Sequence, residues 1–294
     1  MTRIVSVDGE IVPPERAVVS VLDRGFLYGD GVFETLRVYG ARPFARDEHM
    51  ARLARSCAAI RIALPVPEET LARELDRAVT ASTLTDAYAR VTITRGVGER
   101  TSLVPSGEQR PTRVILVEPL TPSPRATYAS GLRAITLPWT RAPEGSPASR
   151  AKLLSYVTSL AALDEARARG ADDAIFVGAD AVVRDASTSN VFLVDDDGVV
   201  LTPPEGAGVL AGITRAHVIE LARTLGVTVS LVPLVVADLV CSREAFLTSS
   251  LREIAPVVSI DGIPIGGGAP GPITRAVHRA YRKLCGLDGA APWE

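Results

Sequence analysis

Two lysines stand against thirty arginines in this 294-residue chain, Lys152 and Lys283. A chain that uses arginine for almost every cationic task has kept a primary amine at 152. Arginine cannot replace lysine where a nucleophilic amine is needed, because its guanidinium stays protonated and forms no imine. Three stretches have the chemistry to hold an anion. Leu210-Ala211-Gly212-Ile213-Thr214-Arg215 sets glycine just before a helix start, where free amides and the helix dipole favour a dianion. Thr248-Ser249-Ser250 offers hydroxyl and backbone donors in a turn, and Arg52 could add a charge-assisted contact. Asp185, in the string Arg184-Asp185-Ala186-Ser187-Thr188-Ser189-Asn190, is a candidate carboxylate. Each feature also has an ordinary reading: a surface lysine near a helix start, turn residues that cap their own backbone, a solvated arginine face, a turn aspartate.

Together, an imine-forming lysine, anion cradles and a carboxylate fit a pyridoxal 5′-phosphate site. That cofactor needs the imine, a phosphate anchor and an acid against its pyridine nitrogen. Competing chemistries lack their residues. There is no GxSxG elbow, and GVGERT and GGGAPG lack the strand–helix context of a dinucleotide site. His49, His217 and His278 lack metal-ligand spacing, and Cys57, Cys241 and Cys285 are three scattered thiols with no disulfide or zinc pattern. A net charge of −2 argues against a nucleic-acid binder, and no apolar run reaches the roughly 18 residues that span a bilayer. The expectation is a cytoplasmic protein.

The elements that must position these residues can be read from periodicity. Residues 3–7 and 10–12 form a hairpin on Asp8-Gly9. Strand 32–39 sets Val32, Glu34, Leu36 and Val38 on one face, with Phe33, Thr35, Arg37 and Tyr39 on the other. Helix 47–60 carries an apolar stripe of Met50, Leu53, Ala54, Cys57 and Ile60, with Arg52 and Arg55 beside it. A second helix follows Pro67, then strands at 88–95 and 113–118. PLTPSPR (119–125) reads as a linker, giving an N-terminal domain over 1–118, a linker over 119–126 and a C-terminal domain over 127–294. Beyond it, short strands are expected near 132–137, 174–177, 181–183, 190–194, 199–201, 227–232, 246–248 and 257–261, with helices over 214–225 and 274–284. Lys152 is placed at the start of an amphipathic helix carrying Leu153, Val157, Leu160, Ala161 and Leu163, where burial would favour the neutral amine.

RGFLYGDGVFETLRVY, HMARLARSC, KLLSY, RDASTSNVF, LTPP followed by LAGITR, FLTSSLREIAPV, IDG and GPIT occur here in the order found in class IV (fold-type IV) pyridoxal-phosphate aminotransferases. The chain resembles that family over nearly its whole length. The resemblance implies an α/β (α+β) fold with a small N-terminal α/β domain, a larger C-terminal pseudo-barrel domain and the cofactor between them, in a homodimer. It implies that Lys152 forms the internal aldimine and shuttles the proton between Cα and C4′. Arg52, Ile213, Thr214 and Ser250 match the phosphate cup, Ser249 lies in the same turn, and Tyr156 matches a residue near the phenolic oxygen. The family usually has glutamate where this chain has Asp185.

Phe33-Glu34-Thr35 and TRGVGER are similar to the D-amino-acid aminotransferase and aminodeoxychorismate lyase groups, rather than to branched-chain enzymes with their FEG. In the D-specific enzymes the arginine matching Arg100 grips the substrate carboxylate with two helpers, which here match Phe33 and Ser102. Arg37, Arg90 and Arg95 are alternatives for that grip. The expected activity is transfer of an amino group from a D-amino acid, with a pocket open to (R)-amines as well, to a 2-oxo acid. The alternatives are 4-amino-4-deoxychorismate lyase and a branched-chain L-amino-acid aminotransferase.

Overall fold

The computed structural model describes residues 3–99, 102–105, 107–142, 145–205, 208–287 and 291–292. The chain divides into two compact units, Met1–Thr121 with Arg150–Tyr156, and Pro122–Ser149 with Val157–Glu294.

The first unit is an antiparallel sheet with helices. Its strands are β1 (Ile4–Val7), β2 (Glu10–Val12), β3 (Gly31–Tyr39), β4 (Arg42–Pro43), β5 (Asp86–Thr94) and β6 (Arg113–Pro119), in the spatial order β2-β1-β6-β5-β3-β4. The helices are α1 (Arg24–Tyr28), α2 (Arg46–Ala59) and α3 (Glu68–Ser82). Asp8 and Gly9 both take positive φ, 50° and 92°, as a tight turn between right-twisted strands requires. The alternation of β3 sorts as its pattern predicts: Val32, Leu36 and Val38 pack with Met50, Leu53 and Cys57 of α2 and Leu71 and Leu75 of α3. Glu34 shares their parity and is fully buried.

Lys152 is not in a helix. Arg150–Tyr156 runs extended beside the start of β3. Phe33 N–H donates to the Lys152 carbonyl at 3.0 Å, Leu154 N–H to the Gly31 carbonyl at 2.8 Å, and Lys152 N–H to Ser56 Oγ at 3.2 Å. A Cβ at Gly31 would sit 2.7 Å from the Ile93 carbonyl and 3.3 Å from the Leu154 side chain, so glycine permits the close approach. These bonds pack the lysine segment with the N-terminal unit, whereas the sequence assigns it to the C-terminal domain. The helix begins only at Val157, and its buried face is Ser159, Ala162 and Ala166, while Val157 and Leu160 are exposed. Apolar spacing pointed to the wrong face because small residues make the close contact.

The second unit comprises α4 (Arg125–Ala129), β7 (Leu132–Leu137), α5 (Val157–Ala168), β8 (Asp173–Val177), β9 (Val183–Ala186), β10 (Asn190–Val194), β11 (Val200–Thr202), α6 (Ile213–Thr224), β12 (Val229–Leu231), α7 (Val236–Cys241), β13 (Glu244–Ser249), β14 (Glu253–Ile260), β15 (Ile263–Pro264) and α8 (Pro272–Leu284). Its strand order is β12-β11-β10-β13-β14-β7-β8-β9, with β15 beside β14. In a flat sheet β10 and β9 would lie roughly 24 Å apart, five strand spacings. Residues 186 to 190 can span at most about 14 Å. The sheet must therefore curl until its β9 edge returns to β10. The result is a mixed α/β fold, with an N-terminal α/β region and a C-terminal curled sheet approaching a pseudo-barrel. Among the described residues, no helix is long and apolar enough to cross a membrane, and no cluster of His, Cys, Asp or Glu could hold a metal ion.

Candidate active site

Lys152 Nζ lies among aromatic rings. It is 3.3 Å from the Tyr156 hydroxyl, 4.4 Å from the centre of the Phe33 ring and 5.2 Å from that of Tyr156. The two rings meet edge to face at 5.1 Å. Phe33 is held by its backbone bond to Lys152, and Tyr156 ends the same extended segment, so three anchored residues fix where the amine sits.

Arg52, whose sequence context suggested a solvated face, is buried. Its Nε and Nη2 donate to Glu34 Oε1 and Oε2, both at 2.7 Å, and His49 Nδ1 lies 2.7 Å from Glu34 Oε2. Burial opposes ionisation of Glu34, but the Arg52 charge and hydrogen bonds, with His49, outweigh it and hold the carboxyl at about 2. Burial lowers the His49 pKa, so at neutral pH this is a neutral imidazole donating its Nδ1 hydrogen. The sequence places Glu34 on the face of Val32, Leu36 and Val38 without a role, and gives His49 no more than an ordinary helix-surface or core role. The available signal was a glutamate on the apolar parity of a strand, which burial permits only with partners.

The arginines proposed for substrate sort clearly. Arg37 pairs with Asp86 at 3.2 Å and stacks on Tyr39. Arg95 forks onto Asp30 at 2.8 and 3.0 Å and donates to the carbonyls of Ile60 and Arg61. Burial works against the Asp30 charge, yet Arg95 and Arg24 hold its carboxyl below the usual range. Arg37 and Arg95 are thus each already paired with a carboxylate. Arg90 differs: its guanidinium lies 3.7 Å from the centre of the Phe33 ring, its Nε donates to Thr92 Oγ1 at 3.1 Å, and it meets no carboxylate among the described residues. It shares that ring with Lys152 Nζ. Ser102 lends its carbonyl to Arg24. Arg100 lies outside the described residues.

The second unit gathers the remaining candidates. Asp185 is buried; Asn190 Nδ2 donates to its Oδ1 and Leu210 N–H to its Oδ2, each at 2.8 Å. Burial pushes its pKa up to about 6, against the charge of Arg141 and the two hydrogen bonds. Asn190 Nδ2 also donates to the Leu210 carbonyl at 2.9 Å. Gly212 caps α6 with no side-chain hydrogen bond, and a Cβ there would fall 1.9 Å from Asn190 Oδ1. Ile213 and Thr214 open that helix, both buried. At the end of β13, Thr248 pairs in register with Asn190 and leads into Ser249 and Ser250, both half-buried. The hydroxyls of Thr248 and Ser189 are buried without a hydrogen-bond partner.

The family model for class IV amino-transferases matches residues 31–260. The chain belongs to the class IV aminotransferase family. Over 277 residues, 94% of each chain, it is 35% identical to a putative branched-chain-amino-acid aminotransferase of Methanocaldococcus jannaschii. It is 32% identical to a D-alanine aminotransferase of Bacillus licheniformis, again over 94% of each chain. A branched-chain aminotransferase of T.th., complexed with N-(5′-phosphopyridoxyl)-L-glutamate, superposes with a TM-score of 0.90 at 30% identity, covering 97% of this chain and 95% of that one. This aminotransferase is thus related to both groups, and the leaning toward D-specific enzymes drawn from Phe33-Glu34-Thr35 is not reproduced: the comparisons favour the branched-chain group.

This class IV aminotransferase depends on pyridoxal 5′-phosphate. Its residues suit the cofactor. The uncapped start of α6, a glycine with no room for a side chain and the orphaned Thr248 hydroxyl are what a phosphate cradle requires. Asp185, buried and, among the described residues, hydrogen-bonded by neutral donors, suits a protonated ring nitrogen.

Proposed function

We propose that this aminotransferase moves the amino group of a branched-chain L-amino acid to a 2-oxo acid. The observation that carries the reading is the setting of Lys152: an amine between two aromatic rings, with one carboxylate-free arginine, Arg90, on the Phe33 ring. Phe33 and Tyr156 suit an apolar side chain, and Arg90 suits a single carboxylate. Similarity along the whole chain to branched-chain enzymes supports it.

Pyridoxal 5′-phosphate, when bound, supplies the electron-accepting ring that no side chain offers. In this reading Lys152 Nζ carries the cofactor and moves the substrate's α-proton, and the Tyr156 hydroxyl orients that nitrogen. Arg52, the amides of Ile213 and Thr214, and Ser249 and Ser250 hold the phosphate. Asp185 keeps the ring nitrogen protonated. The working form is a homodimer, and sedimentation of the holoenzyme as a monomer would count against it.

A second reading, a D-amino-acid aminotransferase, is favoured by Phe33-Glu34-Thr35 and by the D-alanine aminotransferase relative. The deciding experiment mixes holoenzyme with L-leucine, D-alanine or (R)-1-phenylethylamine, without an acceptor, and follows the cofactor's visible absorption. Rapid conversion by L-leucine alone is expected. Conversion by D-alanine alone would establish the second reading, and silence with all three would favour the lyase.

A further inference from the structure

Helix α2 carries two buried stripes side by side. Met50, Leu53 and Cys57 are apolar and join the core. His49, Arg52 and Ser56, at i, i+3 and i+7, are polar and equally buried. Every member of the polar stripe has a defined task. Ser56 Oγ accepts the backbone N–H of Lys152, while Arg52 and His49 converge on Glu34 of β3. A glutamate fully buried on the apolar parity of a strand is costly unless paired, so its retention calls for a purpose beyond packing.

The geometry indicates the purpose. Glu34 grips Arg52 through Nε and Nη2, the two donors of one edge of the planar guanidinium. A plane held along one edge cannot turn about its Cδ–Nε bond, so the direction of the remaining donors is set. His49 in turn fixes the carboxylate from the previous turn of α2. We propose that Glu34, braced by His49, is a positioning residue that aims the outer donors of Arg52 at the cofactor's phosphate and thereby makes the protein prefer pyridoxal 5′-phosphate to unphosphorylated pyridoxal. This rests on the reading of Arg52 as a phosphate ligand.

The test titrates the cofactor-free full-length chain with pyridoxal 5′-phosphate and, separately, with pyridoxal, reading protein fluorescence. The proteins compared are wild type, Glu34→Gln, Arg52→Gln and the double variant. Glu34→Gln should weaken binding of the phosphorylated cofactor about tenfold or more, the scale of a charge-assisted hydrogen bond, and leave pyridoxal within about twofold. Arg52→Gln should lower the preference at least as far, and the double variant should match Arg52→Gln, since Glu34 acts only through that arginine. Equal weakening of both ligands in Glu34→Gln would overturn the proposal and leave a merely structural role, and so would an unchanged ratio. If Arg52→Gln keeps the wild-type preference, the phosphate reading of Arg52 has itself failed. Should Glu34→Gln not fold, the double variant decides, because it removes both buried charges together. A preference equal to that of Arg52→Gln supports the proposal, and a further drop overturns it.

Discussion

Glu34 in the first unit and Asp185 in the second are both buried carboxylates, but they meet opposite surroundings. Glu34 faces a cation, with a bidentate Arg52 and a neutral His49, and titrates near 2. Asp185 is held by an amide side chain and a backbone N–H, both neutral, and titrates near 6. A carboxylate that already owns its counter-charge is finished as a structural part, and its remaining use is to aim that counter-charge. A carboxylate whose hydrogen bonds come from neutral donors, with Arg141 and Arg215 acting on it only through their charge, keeps a raised pKa and can still gain a direct cationic partner from a ligand. Their contributions to stability therefore slope in opposite directions with pH. Glu34, depressed below its usual 4.5, contributes fully above that pH and loses its contribution as pH falls toward 2. Asp185, raised above its usual 3.8, favours the folded chain most below that pH and loses this as pH rises through about 6.

The largest expected effect asks whether the two regions serve one chemistry. Lys152→Ala should cut single-turnover conversion of L-leucine roughly a thousandfold or more, and a rate near wild type would remove Lys152 from the reaction. Next, Glu34→Leu leaves Arg52 buried without its partner and should cost about 3–5 kcal/mol in urea unfolding at pH 7. A loss below about 1 kcal/mol would mean the pair is not buried as seen here. Asp185→Asn sharpens the contrast through its pH slope. From pH 4 to pH 7 the cofactor-free wild type should lose on the order of 2–3 kcal/mol relative to this variant, and parallel curves would show that Asp185 titrates normally. Smaller still are the effects on substrate. Arg90→Met should raise KM for L-leucine about 10- to 100-fold. Arg37→Met, which breaks a pair with the half-exposed Asp86 and the stacking on Tyr39, should cost on the order of 1 kcal/mol in stability and leave KM nearly unchanged.

Local pattern made much of this legible. The Asp8-Gly9 hairpin, β3, α2 and α6 fall where alternation, helical spacing and turn residues put them; in β3 and α2 the residues that join the apolar core recur with the period of the element. Lys152 stood out through the near absence of other lysines, yet its local structure was misread. The bonds that hold it extended come from Gly31, Phe33 and Ser56, more than ninety residues away, and no local signal announces them. A shorter separation, 18 and 15 residues, was enough to hide the pairing of Arg52 and His49 with Glu34, which belongs to a different element. Among four candidate arginines the resemblance put Arg100 first, which lies outside the described residues, and the sequence did not rank Arg37, Arg90 and Arg95. The choice of Arg90 depends on Asp86 and Asp30 being spent on Arg37 and Arg95.

Borohydride reduction of the holoenzyme followed by peptide mapping tests the central claim, that Lys152 is the amine carrying the cofactor. The pyridoxyl label should fall entirely on the peptide containing Lys152. Label on Lys283 or on the N-terminal amine, with the Lys152 peptide unmodified, would contradict it.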